Sequence, residues 1–405
     1  RGLLAVAAAA AGDAIAERVE QYIATWRRDR TQSSRMLLLL LAARHDEPSL
    51  RVLLATAQRC PTESVRREAE RLVTQVATER GWTRGELADR TLPTAGLIQV
   101  AGRVARPFDL GARILHGVLD AKLQLLLELE DGTRTKTFPA QEPNDDASLA
   151  RAAKKAFNAA KREVKAAVAT HEVRLYEAMC ARERWPVPAW RASLATHPLA
   201  GRMGGRLVWA AYAGNERVAV FRPTEDARYV DAAGREVELD AGWTVEVVHG
   251  STLPPVLDAQ WREATKGTAV LFPQLGRPPY PLDDSVARRT MVEGPGKAGV
   301  KAFALRKAMK ALGYARGYVD DGGEFVDYAR TFSWLGLEAR LHFSGNRIPE
   351  ENREVTLFGI SLRPTSDPDA RARWAAPIGQ ELPLADAPPV LLSELAAHLR
   401  RAAGA

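Results

Sequence analysis

The sequence predicts an α+β fold: N-terminal HEAT- or armadillo-like helical repeats, then a mixed α+β domain with short antiparallel strands and one long helix. Three patterns predict it. Residues 1–80 place Ala, Leu, Arg and Glu at helical spacing in segments cut by short breaks. Residues 147–184 contain neither Pro nor Gly. Beyond His197, short Val, Phe and Trp runs are cut by Gly, Asn and Pro, the pattern of strands and turns.

The 405-residue chain is long for a single core and divides by composition into four parts. These are a helical-repeat region over 1–80, read as the end of a longer array, and a connector with a β-hairpin over 81–146. An α+β core follows over 147–380, then a Pro-rich linker and C-terminal helix over 381–405. With 46% hydrophobic and 26% charged residues the chain belongs to the folded globular class. Its net charge of +7, from 57 cations and 50 anions, biases it mildly toward acidic partners without choosing one. Cys60 and Cys180 stand alone and far apart, which excludes a disulfide framework and a cysteine zinc site and fits a reducing cytoplasm.

Residues 1–11 have the outline of a short secretory signal. Their apolar period nevertheless continues through Ile15, Val19, Tyr22 and Ile23, so a helix is the better reading. There is no initiator Met, and the chain reads as a fragment or a processed product. The leucine run at 36–43 falls far short of the roughly 20 residues that span a bilayer, so no membrane insertion is expected.

The elements follow in order. Helices are expected over 3–27, 34–44, 48–59 and 62–80, with Asp46 and Thr62 at helix starts. Val65, Ala69, Leu72, Val73 and Val76 form the apolar stripe of the fourth. Pro93 and Gly96 mark 81–97 as a turn-rich connector. A strand over 118–130 meets one over 133–138 through Asp131-Gly132, whose residues accept the positive φ of a tight turn. The long helix over 147–184 would measure about 50 Å. A second hairpin joins 207–212 to 217–221 through Gly214-Asn215. Strands at 243–248 and 269–272 flank a helix at 258–264, and a helix is expected over 300–312. Two strands, 337–344 and 355–362, flank a turn at Gly345-Asn346, and a capped helix covers 393–401.

Chemistry-bearing candidates gather at the junction between the helical and strand-rich halves. Pro198 restricts His197 to extended conformations and starts a short helix, which sets Arg202 and Arg206 one turn apart on one side. With Trp209, and with Gln274 and Arg277 further on, they form the ligand-binding candidates; the simpler reading is that local carboxylates satisfy the arginines. Lys154, Lys155 and Lys161 lie in the first part of the long helix with Arg151, Arg162 and Lys165, against Glu163 alone there. Lys301, Arg306, Lys307 and Lys310 fall in a stretch with no acidic residue between Lys297 and Val319. Both runs suit nucleic acid or an acidic protein, and both also suit a solvated helix face. The seven scattered histidines have no metal-ligand spacing, and no nucleophile elbow is present. The glycine-rich stretch 294–299 lacks the spacing of a phosphate loop, and 320–324 lacks the ligand series of a calcium loop. No metal, cofactor or catalytic residue is therefore expected.

Glu86-Leu87-Ala88-Asp89-Arg90 followed by Pro93, together with Arg174-Leu175-Tyr176-Glu177-Ala178-Met179, His197-Pro198-Leu199, Arg206-Leu207-Val208-Trp209 and Phe272-Pro273-Gln274-Leu275-Gly276-Arg277, resembles the bacterial DUF4132 family in order and spacing. The resemblance covers about 60–320. It departs at His249-Gly250, where the family has His-Pro, and at Val270-Leu271, where it has Gln-Pro. It implies helical repeats followed by an α+β domain, and a regulatory or scaffold role without an agreed reaction. The expected function is thus a cytoplasmic, non-enzymatic bacterial scaffold that binds a protein or nucleic-acid partner through basic surfaces. The alternative is an enzyme acting on a nucleotide or other phosphorylated ligand in a cleft near His197, Arg206 and Arg277.

Overall fold

The computed structural model describes residues 14–100, 103–294, 299–365 and 380–404. The expected helix start at residue 3 and the glycine-rich residues 295–298 lie outside them. Four helices come first: α1 (Ala14–Trp26), α2 (Thr31–Arg44), α3 (Glu47–Arg59) and α4 (Glu63–Glu79). Their apolar stripes meet in one cluster containing Leu38, Leu41, Leu50, Leu53, Leu72 and Val73. Each leucine buried there contributes roughly 2 kcal/mol. Asp46 caps α3 by accepting the Ser49 amide at 2.8 Å, whereas Thr62 stands at the N-cap of α4 without a side-chain cap bond.

The expected connector holds a helix of its own, α5 (Arg84–Arg90). Thr83 and Glu86 explain it: the Thr83 hydroxyl accepts the Glu86 amide at 3.0 Å, and the Glu86 carboxylate accepts the Thr83 amide at 2.8 Å. This reciprocal cap stabilises a helix too short to stand by propensity. Thr83→Ala is expected to cost about 1 kcal/mol in urea unfolding.

A five-stranded antiparallel meander follows: β1 (Ile98–Val100), β2 (Arg103–Asp109), β3 (Ile114–Leu119), β4 (Leu125–Glu128) and β5 (Arg134–Thr135). The single strand expected over 118–130 is two. The Asp120 carboxylate accepts the Lys122 and Gln124 amides, both at 2.8 Å, and turns the chain between them. At Asp131-Gly132 the turn is as expected, with Gly132 at φ 80°.

The long helix, α6 (Ala147–Ala181), starts where Asp146 accepts the Ser148 and Leu149 amides at 2.8 and 2.9 Å. Its first half buries a stripe of Ala, Phe157 and Val164; nearly every residue from His171 to Cys180 is buried. The last turns of α6 therefore form the centre of the molecule.

A second antiparallel sheet has the order β6-β10-β7-β8-β9, from β6 (Arg184–Pro186), β7 (Trp209–Ala213), β8 (Glu216–Pro223), β9 (Tyr229–Val230) and β10 (Thr244–Val247). Helix α7 (Pro255–Ala264) packs beside it, and Trp261 joins Val208, Ala210 and Tyr212 in a small apolar cluster. Residues 269–272 do not form the expected strand. The Gln274 side chain there bonds the backbone of two other segments instead of the chain joining a ladder.

In the third sheet the order is β11-β17-β15-β14-β13, from β11 (Met291–Glu293), β13 (Ala315–Arg316), β14 (Glu324–Phe332), β15 (Leu337–Arg347) and β17 (Leu357–Pro364), with β12 (Val300–Lys301) and β16 (Glu354–Val355) paired beside it. Strand β15 runs through Gly345-Asn346, so the expected turn there lies within a strand. Asn346 has its amide side chain on the Glu351 carbonyl at 3.0 Å, which folds the following loop back. Helices α8 (Ala302–Ala311) and α9 (Pro389–Ala403) complete the fold. Apolar residues from Leu92 to Ala402 form one continuous core. Among the described residues no helix is long and apolar enough to cross a membrane.

Candidate functional site

At the junction the chain makes a π-helical turn, Arg191–Ala195, and a short helix, Ala200–Gly204. His197 Nδ1 accepts the Leu199 and Ala200 amides at 3.2 and 3.1 Å, so Nε2 carries the proton and donates to the Leu92 carbonyl at 3.0 Å. Burial lowers its pKa, opposed by the Leu92 carbonyl. The ring is a neutral helix cap. Arg202 pairs with exposed Glu225. Arg206 donates to the Asp120 carbonyl at 3.3 Å, and burial followed by repulsion from Arg202 lowers its pKa. Arg202 is on that short helix, but Arg206 falls past its end at Gly204, so the two are not both carried by one helix as expected. Trp209 donates to the Gly204 carbonyl at 3.0 Å. Gln274 accepts the Val208 amide at 2.9 Å and donates to the Val208 and Val248 carbonyls at 3.0 and 2.7 Å, so it stitches backbone together.

Arg277 leads elsewhere. Its Nε pairs at 3.2 Å with Oε1 of Glu394, a buried carboxylate on α9. The same oxygen meets His249 Nε2 at 3.2 Å, and Oε2 accepts the Tyr176 hydroxyl at 2.7 Å. His398, one turn further along α9, lies 3.3 Å from the Tyr176 hydroxyl and 3.2 Å from that of Tyr314. Burial would raise the Glu394 pKa, but His249, Arg277 and Tyr176 outweigh it and hold the group ionised. The network ties α9 to the last turns of α6. Nothing local in the sequence signals it.

A second polar cluster surrounds Arg174, which is 1% exposed. Its guanidinium donates to Asp89 of α5 at 3.0 Å and to Glu183 at 2.6 Å, between the indoles of Trp185 and Trp334, each 5.4 Å away. Trp185 also donates to Asp89 at 2.8 Å. Burial opposes the Arg174 charge, yet Asp89 and Glu183 raise its pKa overall. Gly85 is required here, because a Cβ would lie 2.8 Å from Arg174 Cζ. Glu177, one turn on, accepts the Trp334 amide at 2.7 Å, and burial pushes its pKa up to about 7. These residues line a cleft of about 680 Å³ between α5, the end of α6 and the β14–β15 turn. Trp334 packs there against the N-terminal helical cluster, so the cleft marks a joint in the fold.

The basic runs differ in how far they are neutralised. On α8 and β12, Lys301 pairs with Glu354 at 3.2 Å and Arg306 with Glu350 at 3.4 Å. Lys307 and Lys310 stay exposed with no such partner among the described residues. On α6, Lys161 donates to the Lys136 carbonyl at 2.6 Å and has no ion-pair partner among the described residues. Lys154, Lys155, Arg162 and Lys165 are exposed without an ion-pair partner among the described residues. The helix's local acid, Glu163, is drawn away to Arg51 of α3 at 2.6 Å.

Among the described residues no group of three or more His, Cys, Asp or Glu is arranged to hold a metal ion. Residues 132–314 match the family model described as Domain of unknown function (DUF4132). The expected blocks at Arg174, His197, Arg206 and Phe272 fall inside that match, and the Glu86 block falls outside it. The Uncharacterized protein YehI of Escherichia coli (strain K12) is 23% identical over 338 residues, which cover 80% of this chain and 28% of that protein. The chain thus spans little more than a quarter of the length of that relative. No solved structure matches the chain.

Proposed function

Because residues 132–314 match the DUF4132 family model, we propose that this chain is a non-enzymatic bacterial scaffold of the cytoplasm that holds duplex nucleic acid along α6. The helices over 14–79 then act as a HEAT-like unit that positions it. One observation carries the reading. At about 100° per residue, Arg151, Lys154, Lys155, Lys161, Arg162 and Lys165 fall within about 120° of the helix circumference and along about 21 Å of its length. That stripe has the reach and the charge to follow several phosphates, and it has no acid to cancel it. No exposed aromatic interleaves the cations, so the face suits a duplex backbone better than stacked single-stranded bases.

The alternative enzymatic reading has less support, since His197 serves as a helix cap with both ring nitrogens engaged and Arg277 is tied to Glu394. The stripe on α6 is also preferred to α8, where two of four cations already have acidic partners. The test is duplex DNA binding by a Lys154→Glu/Lys155→Glu/Lys165→Glu variant beside a Lys307→Glu/Lys310→Glu variant. Affinity should fall more than 100-fold in the first and less than threefold in the second. Equal losses would remove α6 as the binding face.

A further inference from the structure

Strand β8 has one edge closed and the other largely open. Residues Glu216 to Phe221 pair with β7 on one side. On the other, β9 reaches only Arg222 and Pro223. Past Val230 the chain turns at 231–235 and comes back along the far side of β9, where Glu236 bridges Val230 and the Val237 amide donates to the Tyr229 carbonyl at 2.9 Å. A groove of about 890 Å³ is left between that loop, the β8 residues Arg217 to Val220, and α7. An edge strand with unpaired amides and carbonyls is a template for another strand, and proteins usually blunt such edges with charge, proline or a covering loop. Here Arg217, Val218, Ala219 and Val220 are all at least partly exposed, and Val218 is 41% exposed.

The walls suggest what would lie in the groove. Its apolar side is Val220, Ala232 and Leu257, packed on the cluster around Trp261. Trp261 itself lines the groove, is 2% exposed, and has an indole N–H without an acceptor among the described residues. Such a buried donor is costly unless something accepts from it. The rim carries four carboxylates in contrasting states. Asp231 is held by Arg235, and Glu263 by Lys266. Glu236 and Glu238, two residues apart on the returning segment beside β9, line the groove, are exposed and make no ion pair among the described residues. Arg217 is turned to the Thr252 carbonyl at 2.7 Å.

We propose that this groove binds an extended segment of a partner protein by strand addition to β8, and that the segment alternates basic with apolar side chains. Its backbone would pair with Arg217 to Val220. Alternate side chains would point to the Leu257 and Trp261 wall, and basic ones spaced two apart would meet Glu236 and Glu238. The acidic rim repels a polyanion, so this surface addresses a different partner from the α6 stripe and does not depend on that reading.

The test uses two labelled hexapeptides, Ser-Lys-Val-Lys-Val-Ser and Ser-Glu-Val-Glu-Val-Ser, with binding followed by fluorescence anisotropy and hydrogen exchange. The lysine peptide should bind and slow exchange at residues 217–220, and the glutamate peptide should bind at least tenfold more weakly. In a Glu236→Lys/Glu238→Lys variant, which alters only exposed side chains, that preference should reverse. The proposal is overturned if neither peptide binds, if the lysine peptide binds without protecting 217–220, or if the variant leaves the preference unchanged. It is likewise overturned if the chain alone forms a concentration-dependent dimer that protects the same amides, which would assign the groove to a second copy.

Discussion

Arg174→Met should destabilise the chain by about 3–5 kcal/mol in urea unfolding, the largest effect expected of any single substitution described above. Methionine keeps the length and apolar stem of the side chain while removing the charge. Asp89 and Trp185 would then share a site with no cation, and the Asp89 carboxylate, 2% exposed, would be buried without its counterion. The loss is one of desolvation more than of attraction, since removing one partner of a buried pair leaves the other uncompensated. A double variant separates the two. Arg174→Met with Asp89→Asn should recover at least half of the loss, because the asparagine can still accept from Trp185 without a buried charge. Equal stability of the single and double variants would show that packing between Trp185 and Trp334, and not charge, dominates.

Acidification should give the second large effect, with a sign set by three buried groups. Burial pushes His171 and His398 down to about 3, with Arg174 adding to the effect at His171 and Arg330 at His398. Both are neutral in the fold, and the unfolded chain takes up protons below its ordinary histidine pKa of about 6.5. Stability from each is therefore complete above pH 6.5 and lost as pH falls, by about 2 kcal/mol per histidine at pH 5. Glu177 acts in the opposite sense. Its folded pKa of about 7 lies above the ordinary glutamate value of about 4.5, so its contribution is complete below pH 4.5 and lost as pH rises to 7. Between pH 4.5 and 6.5 these two histidines oppose one carboxylate, so the three groups together make stability fall on acidification by about 1.4 kcal/mol per pH unit, and His197 adds to the fall. Glu177→Gln should steepen that fall by about 1.4 kcal/mol per pH unit and His398→Gln should reduce it by about the same amount, both measured by urea unfolding from pH 7 to 4.5. Unchanged slopes in both variants would contradict the assignment.

The elements legible in the sequence were those set by neighbours within a few residues. The stripe of Val65, Ala69, Leu72, Val73 and Val76 marked α4, Asp131-Gly132 and Gly214-Asn215 marked their hairpins, and the Pro- and Gly-free run marked α6. Signals that compete locally were misread. The Asp120 turn interrupts an apolar run that otherwise looks like one strand, and the Thr83 and Glu86 cap makes a helix in a stretch dominated by Pro93 and Gly96. The interior polar clusters were illegible for a different reason. Tyr176 and Glu394 are 218 residues apart, and Arg174 and Asp89 are 85 apart. Such partners are chosen by the packed fold, and a lone buried Arg or Glu in a helical run has no local feature to distinguish it from a surface one. Glycine at 85 is explained only by the guanidinium above it. Of the junction candidates, Arg277 joins one such cluster, whereas His197 and Gln274 organise backbone.

The salt dependence of duplex DNA affinity tests the central proposal most directly. For about four phosphate contacts along α6, log K should fall linearly with log salt concentration with a slope of about −3.6, and each of Lys154, Lys155 and Lys165 changed to Glu should reduce the steepness by about one. Binding with a slope near zero, or a steep slope that the three substitutions leave unaltered, would contradict a role for this helix in holding nucleic acid.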